Sequence, residues 1–351
     1  MIAQVTHILP LANIRRERIL PSAGRLVVRK GQKISPTDVI AEMNLAPEHM
    51  LLDIARGLGL SPKEADAYLQ CQAGDEVSEG DVLAGPVGFI KRVVRAPRNG
   101  KVIVIGDGQI LLEMQSPPYE LKAGMPGNVV ELVGERGVIV ETTGSLIQGV
   151  WGNGRIDFGL MYVLARTADE ELTSDRLDVS LRGAVVLGGY CGDPRVIKMG
   201  GELPLRGLIL GGMGASLVPV ANRVQYPIIV TDGIGRRAMN SAAFKLLSTN
   251  EKREVSLNAE NWDRFAGKRP EIVIPLPASG NVALPRETVE FLPGQTVLIT
   301  RAPYTGLIGV LESILPGLTT LPNGIRTQAG EIRLENGENV VVPLTNLEVL
   351  V

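Results

Sequence analysis

The sequence predicts a mainly β chain with a small α/β domain embedded in it. Three observations carry this reading. Gly (41) and Pro (23) are plentiful while aromatics are only 4% of residues, which suits many short strands joined by tight turns. Glycine supplies positive φ in such turns, and proline fixes their geometry. One strand-turn-strand pattern occurs twice, 43 residues apart. From about residue 181, short continuously apolar runs alternate with helix signals, the mark of a parallel sheet buried on both faces.

The repeat is the first element in chain order. LVVRKGQKISPTDVIA (26–41) and LQCQAGDEVSEGDVLA (69–84) share Gly-polar-polar-aliphatic-Ser-x-x-Asp-Val-aliphatic-Ala. Each copy reads as a β-hairpin turning at Gly31 or Gly74. Residues 46–69 between them read as a helical insert. APEHMLLDIARGLGL has apolar residues at helical spacing, and Ser61-Pro62-Lys63-Glu64 is a capping box with Pro at the first helical position. After the second copy, Asn99-Gly100 and Asp107-Gly108 are the dipeptides of two-residue hairpin turns.

Residues 181–265 form the predicted α/β domain. GAVVLGGY, RGLILGG and YPIIVTDG are its strands, and Asp193-Pro194 is a helix start that Gly200-Gly201 would end. Ala215 to Val224 and Ser241 to Leu247 read as further helices. The strand ends are Gly-rich, and ligands of open α/β sheets bind beyond such ends. Gly212, Gly214, Asp232, Gly233 and Arg236 are therefore the candidate ligand-binding residues, with Arg237 beside them. Gly212-Met213-Gly214-Ala215-Ser216-Leu217 lacks the third glycine of a dinucleotide fingerprint, and no Gly-Lys-Ser/Thr follows it. Tight turns and close packing explain the same glycines without a ligand.

RPEIVIPLP reads as a linking strand within an extended, proline-broken stretch (254–292). The last sixty residues alternate apolar and polar positions between Gly and Asn-Gly turns. The expected division is thus 1–180, 181–265 and 266–351.

Two resemblances refine the β segments. Gly74-Asp75-x-Val77-x-x-Gly80-Asp81-x-Leu83-Ala84, followed by Ala96-Pro97-x-Asn99-Gly100-x-Val102, resembles the barrel-sandwich hybrid fold of biotinyl and lipoyl domains. It is most similar to the versions embedded in electron-transport C subunits and large RNA polymerase subunits. A carrier domain of that family presents a modified lysine between Met or small residues. Here the hairpin reads Gly88-Phe89-Ile90-Lys91-Arg92-Val93, so Lys91 is read as an exposed hairpin lysine and no cofactor is expected. Gly294-x-x-Val297, Ala302-Pro303-Tyr304-Thr305-Gly306-x-x-Gly309-Val310 and Val342-Pro343-Leu344-x-Asn346-Leu347-Glu348 resemble a KOW domain, a small SH3-like barrel that binds RNA or protein. Gly306 and Gly309 would sit where the strand-turn-strand of that barrel needs no Cβ.

Charge and chemistry narrow the function classes. The formal net charge is −2, so no global field attracts phosphate backbones or anionic membranes. Residues 268–351 carry six basic side chains against eight glutamates, which argues against direct nucleic-acid binding by the C-terminal module. Residues 1–36 are locally basic. Arg15, Arg16, Arg18 and Arg25 there are the candidate interaction surface, together with Tyr304. Cys71 and Cys191 form neither a disulfide framework nor a metal cluster, and His7 and His49 lack metal-ligand spacing, so no metal is expected. Cys191 precedes a helix start but has no histidine near it in sequence, which favours a buried structural thiol. The N-terminus does not read as a signal peptide, and no apolar run approaches the length of a bilayer span. The expectation is a cytoplasmic, non-enzymatic scaffold that forms homo-oligomers or larger assemblies with protein partners. A KOW-borne transcription or translation role and a ligand-binding α/β domain are the alternatives.

Overall fold

A computed structural model describes every residue except 264, 278–281 and 287. The fold is mainly β, with 45% strand and 12% helix. Contacts divide the chain into two compact units: residues 1–19, 26–40 and 121–351 in one, 20–25 and 41–120 in the other.

The larger unit holds a twelve-stranded mixed sheet. Its parallel part runs Ile228–Ile234, Gly207–Met213, Ala184–Leu187, Ile156–Val163. Alternate residues of these strands point to opposite faces, as pleating requires. Val186, Leu208, Leu210, Ile228 and Val230 pack in one core with Val196 and Ile197 of the Pro194–Glu202 helix. Val185, Leu187, Ile209 and Ile229 pack in another with Ala243 and Leu247 of the Ser241–Ser248 helix. Both faces are thereby covered, as the apolar runs predict. The boundary drawn at residue 180 falls between Ile156–Val163 and Ala184–Leu187, which are hydrogen-bonded neighbours.

Several local expectations need correction. RPEIVIPLP is no peripheral link: Glu271–Pro275 is an interior strand, paired with Glu254–Asn258 on one side and Gly137–Gln148 on the other. Parts of the 254–292 stretch, residues 264, 278–281 and 287, lie outside the described residues. Asp193 does cap the Pro194–Glu202 helix, accepting from the Arg195 N–H. Gly200-Gly201 does not end that helix, however; Gly200 instead lies beneath the Tyr226 ring, where a Cβ would stand 2.4 Å from the hydroxyl.

A seven-stranded sheet forms the C-terminal module. Thr296–Ile299, Ile308–Ile314, Ala329–Leu334 and Asn339–Pro343 are successive antiparallel neighbours. The N-terminal strand Ile2–Thr6 joins this sheet in parallel with the last strand, Leu347–Leu350. Gly306 turns at φ +84, and Gly309 passes so close to the neighbouring strand that a Cβ would stand 2.7 Å from the Arg333 carbonyl.

The smaller unit pairs Glu48–Asp53 with Gln109–Met114, Gly100–Gly106 and Glu76–Val77 in one antiparallel sheet. Residues 48–53 are therefore strand, and the helical part of the expected 46–69 insert shrinks to Ile54–Leu58 and Pro62–Asp66. His49 accordingly sits on a strand, beside Glu113. Short apolar runs fit either period, and here the partner strand decides. The Asp107-Gly108 turn forms as expected, with φ of 51 and 69. Asn99-Gly100 makes no hairpin turn. Gly100 begins a strand where a Cβ would meet the Glu113 carbonyl at 2.5 Å, and Asn99 Oδ1 accepts from the Glu79 N–H.

The repeat is real, and in each copy its two outer arms pair: the Val27 N–H donates to the Ile40 carbonyl, and Leu69 forms an antiparallel bridge with Ala84. The short strand between the arms is drawn into another sheet, Lys33–Ile34 pairing with Gly127–Val133 and Glu76–Val77 with Gly100–Gly106. Asp38 and Asp81 each accept from the backbone of the serine three residues earlier, at 2.8 Å. That side-chain turn redirects the chain out of the first sheet.

Candidate functional site

The candidate site lies at the carboxyl end of Ile228–Ile234. Asp232 is half-buried there, and the chain then loops through residues 235–240 into the Ser241–Ser248 helix. Three groups hold the Asp232 carboxylate. The Thr231 hydroxyl donates at 2.6 Å, and Asn240 donates from both its backbone N–H and its side-chain amide, each at 3.0 Å. Asn240 in turn caps the helix by accepting from the Ala243 N–H. Burial raises the Asp232 pKa, and the bonds from Thr231 and Asn240, with the charge of Arg237, only partly offset it.

A cleft of about 670 Å³ opens over this loop, lined by Asp232, Arg236, Arg237, Asn240 and Ser241 and by Thr305, Glu335 and Asn336 of the C-terminal module. A smaller cleft of about 340 Å³ also touches Asp232 and Arg237, and it is lined by Gly233, Thr300 and Arg301. Arg236 lies 5.6 Å from the centroid of the Tyr190 ring and 4.0 Å from the Glu171 carboxylate. Such an arrangement can attract an anion through Arg236 and Arg237. At the helix start, however, the Ser241 hydroxyl already donates to the Glu335 carboxylate at 2.8 Å.

The structure brings Asp232, Gly233 and Arg236 to these clefts and leaves Gly212 and Gly214 out of their walls. Gly212 supports the site from behind, since a Cβ there would meet the Gly235 and Arg237 carbonyls at 2.7 and 2.6 Å. Asn240, Ser241 and Glu335 escape sequence reasoning. The first two carry a signal in the Asn-Ser cap before AAFKLL, whereas Glu335 lies 94 residues from its partner and carries none.

The basic N-terminal residues have carboxylate partners inside the chain. Arg15 pairs with Glu131, Arg16 with Glu271, Arg18 with Glu260 and Arg25 with Glu42. Of these four pairs Arg16 and Glu271 are the most enclosed, and Gln148 adds a third donor to that carboxylate. Burial works to raise the Glu271 pKa, but the charge and hydrogen bonds of Arg16, the Gln148 bond and the charge of Arg18 outweigh it and hold the carboxyl below its ordinary value.

Tyr304 lines a groove of about 580 Å³ on the C-terminal module with Pro303, Leu321, Pro322, Ile325 and Val341. Ile325 and Val341 are exposed there, while Tyr304 rests against the module's core. Cys191 is fully buried, and burial pushes its thiol up to about 11, the opposite of an activated nucleophile. Among the described residues no group of three or more His, Cys, Asp or Glu is placed to hold a metal ion, and no helix is long and apolar enough to cross a membrane.

Neither the known protein-family models nor the curated proteins match this chain.

Proposed function

We propose that the chain is a non-enzymatic, cytoplasmic scaffold that assembles with further copies of itself. The observation that carries this reading is the apolar groove at Tyr304, a concave surface of a size that suits a few side chains of a docking segment. Charge supports a second copy as the occupant. Arg29 and Lys30 are exposed at a turn and Lys33 on the strand that follows it, and the C-terminal segment that bears the groove is net acidic. The polar groups best placed for chemistry are engaged within the chain, Asp232 by Thr231 and Asn240, and Glu335 by Ser241. Light scattering after size exclusion tests the proposal on nuclease-treated protein. A discrete mass of several subunits is expected, and Val341→Glu in the groove should lower it. A wild-type mass of 37.6 kDa at high concentration overturns it.

Two further readings have specific support. The placement of Gly306 and Gly309 favours a KOW-like barrel, and hence a factor that touches ribosomes or RNA polymerase through protein contacts. Failure to co-sediment with either from lysate removes it. The position of the Asp232 cleft beyond parallel strand ends favours a small anionic ligand. Unchanged thermal stability across a panel of nucleotides and anionic metabolites removes that one.

A further inference from the structure

The smaller unit carries a feature that its own folding does not explain. Val82–Val87 and Arg92–Arg95 form a two-stranded hairpin in which Val87 pairs with Arg92. The four-residue connection Gly88-Phe89-Ile90-Lys91 closes with a bond from the Lys91 N–H to the Gly88 carbonyl. Phe89 and Ile90 thus occupy the two central positions of a tight turn, where Gly, Pro, Asn, Asp and Ser are the favoured residues. Their exposure is 108% and 81%, the highest of the large apolar residues together with Phe265 and Val179. No core gains from them, and an aromatic next to a β-branched residue is a poor turn former.

Charge around the tip is equally one-sided. From Asp81 to Asp107 the sequence has no acidic residue between the two, but it has Lys91, Arg92, Arg95, Arg98 and Lys101. Arg98 pairs with Glu48. Arg92 and Arg95 bond to backbone carbonyls, of Leu58 and Gly80, which leaves their charge uncancelled. Among the described residues no carboxylate pairs with Lys91, Arg92 or Arg95.

We infer that this hairpin is an insertion element for anionic lipid surfaces, with Phe89 and Ile90 entering the headgroup boundary and Lys91, Arg92 and Arg95 meeting lipid phosphates. The order along the hairpin supports a bilayer over other polyanions. Apolar atoms lead and the cations follow: Lys91 and Arg92 come directly behind the tip, and Arg95 lies three residues, about 10 Å, further back. Interfacial binding needs that depth ordering, with apolar side chains below the charged layer. A nucleic-acid surface would need ring and cations at one level, and Ile90 offers no face for stacking. A second copy is the weaker occupant, since two side chains fall far short of the area that a stable protein interface buries. The inference goes beyond the scaffold proposal and is independent of the Tyr304 groove.

Flotation of the full chain with vesicles tests it. Binding should be at least about tenfold stronger to phosphatidylcholine vesicles containing about one-third phosphatidylglycerol than to phosphatidylcholine alone, and should fall with salt. Phe89→Ser with Ile90→Ser should abolish it with unchanged thermal stability, and Lys91→Glu should weaken it. Phe89→Trp should gain a blue-shifted emission with anionic vesicles, quenched by brominated acyl chains. Equal flotation of wild type and the double serine variant overturns the inference. So does retention on RNA or heparin in place of vesicles, or a self-association that the serine variant loses in the absence of lipid.

Discussion

Asn240 grips Asp232 twice, donating from its side-chain amide to Oδ1 and from its backbone N–H to Oδ2, both at 3.0 Å. The carboxylate therefore ties the end of a parallel strand to the cap of the Ser241–Ser248 helix. Asp232→Ala removes the acceptor for three donors and should cost about 1–3 kcal/mol in urea unfolding, because those donors lose their partner.

Asp232→Asn keeps the shape and isolates the charge. The native pKa of Asp232 is raised above its ordinary 3.8, chiefly by burial. The folded state thus holds this proton more tightly than the unfolded chain. Its contribution to stability is fully present below 3.8 and is lost as pH rises through the native value. The stability difference between Asp232→Asn and wild type should accordingly shift in the variant's favour as pH rises from 3.8 through the raised native value. A pH-independent difference would show that the carboxyl titrates alike in both states.

Glu271 has the opposite sign. Its native pKa lies below its ordinary 4.5 because Arg16, Gln148 and Arg18 outweigh the effect of burial. Its contribution is present above 4.5 and is lost as pH falls through the native value. Glu271→Gln should flatten the acid limb of the stability curve, and at neutral pH it removes the Glu271 charge from its pair with Arg16. Because one partner of an enclosed pair is removed, about 3 kcal/mol or more should be lost there. Guanidinium titrations at several pH values check both effects.

These relationships mark where the sequence could be read and where it could not. The Asp107-Gly108 turn, the Asp193 cap and the apolar strands at 184–187, 207–213 and 228–234 rest on local preference, and they form as read. Asn99-Gly100 has the same local signal as Asp107-Gly108, yet the close approach of the Glu113 backbone sets its conformation. Arg16 lies 255 residues from Glu271, so a basic cluster in sequence became a set of internal ion pairs that no local pattern announces. At the candidate site Asp232 and Arg236 were legible as the polar end of an apolar strand. Glu335 reaches the site only through the long-range packing of the C-terminal module.

Gly212 and Gly214 separate a structural glycine from a merely tolerated one. A Cβ on Gly212 would collide with two carbonyls of the 235–237 loop, whereas one on Gly214 would meet nothing nearer than the Tyr190 hydroxyl at 3.5 Å. Gly214 also has φ −57 and ψ 135, which any residue adopts. Gly212→Ala should destabilise by about 1–3 kcal/mol, the usual cost of overpacking, and Gly214→Ala should be close to neutral. Equal losses would mean that the second glycine serves something other than packing.

The two thiols should differ in reactivity under native conditions. Cys191 is wholly buried and its thiol is pushed up to about 11 by burial, so at pH 8 almost none of it is thiolate. Cys71 is half-buried, and burial first and the Asp75 charge second raise its pKa as well, yet solvent still reaches it. A disulfide reagent should therefore label Cys71 slowly and Cys191 only at the rate at which the sheet opens. Adding urea below the unfolding midpoint should accelerate Cys191 far more than Cys71. Rapid native labelling of Cys191 would require an access route to the core formed by Leu210, Met213 and Leu217, and would reopen the case for a reactive thiol at that helix start.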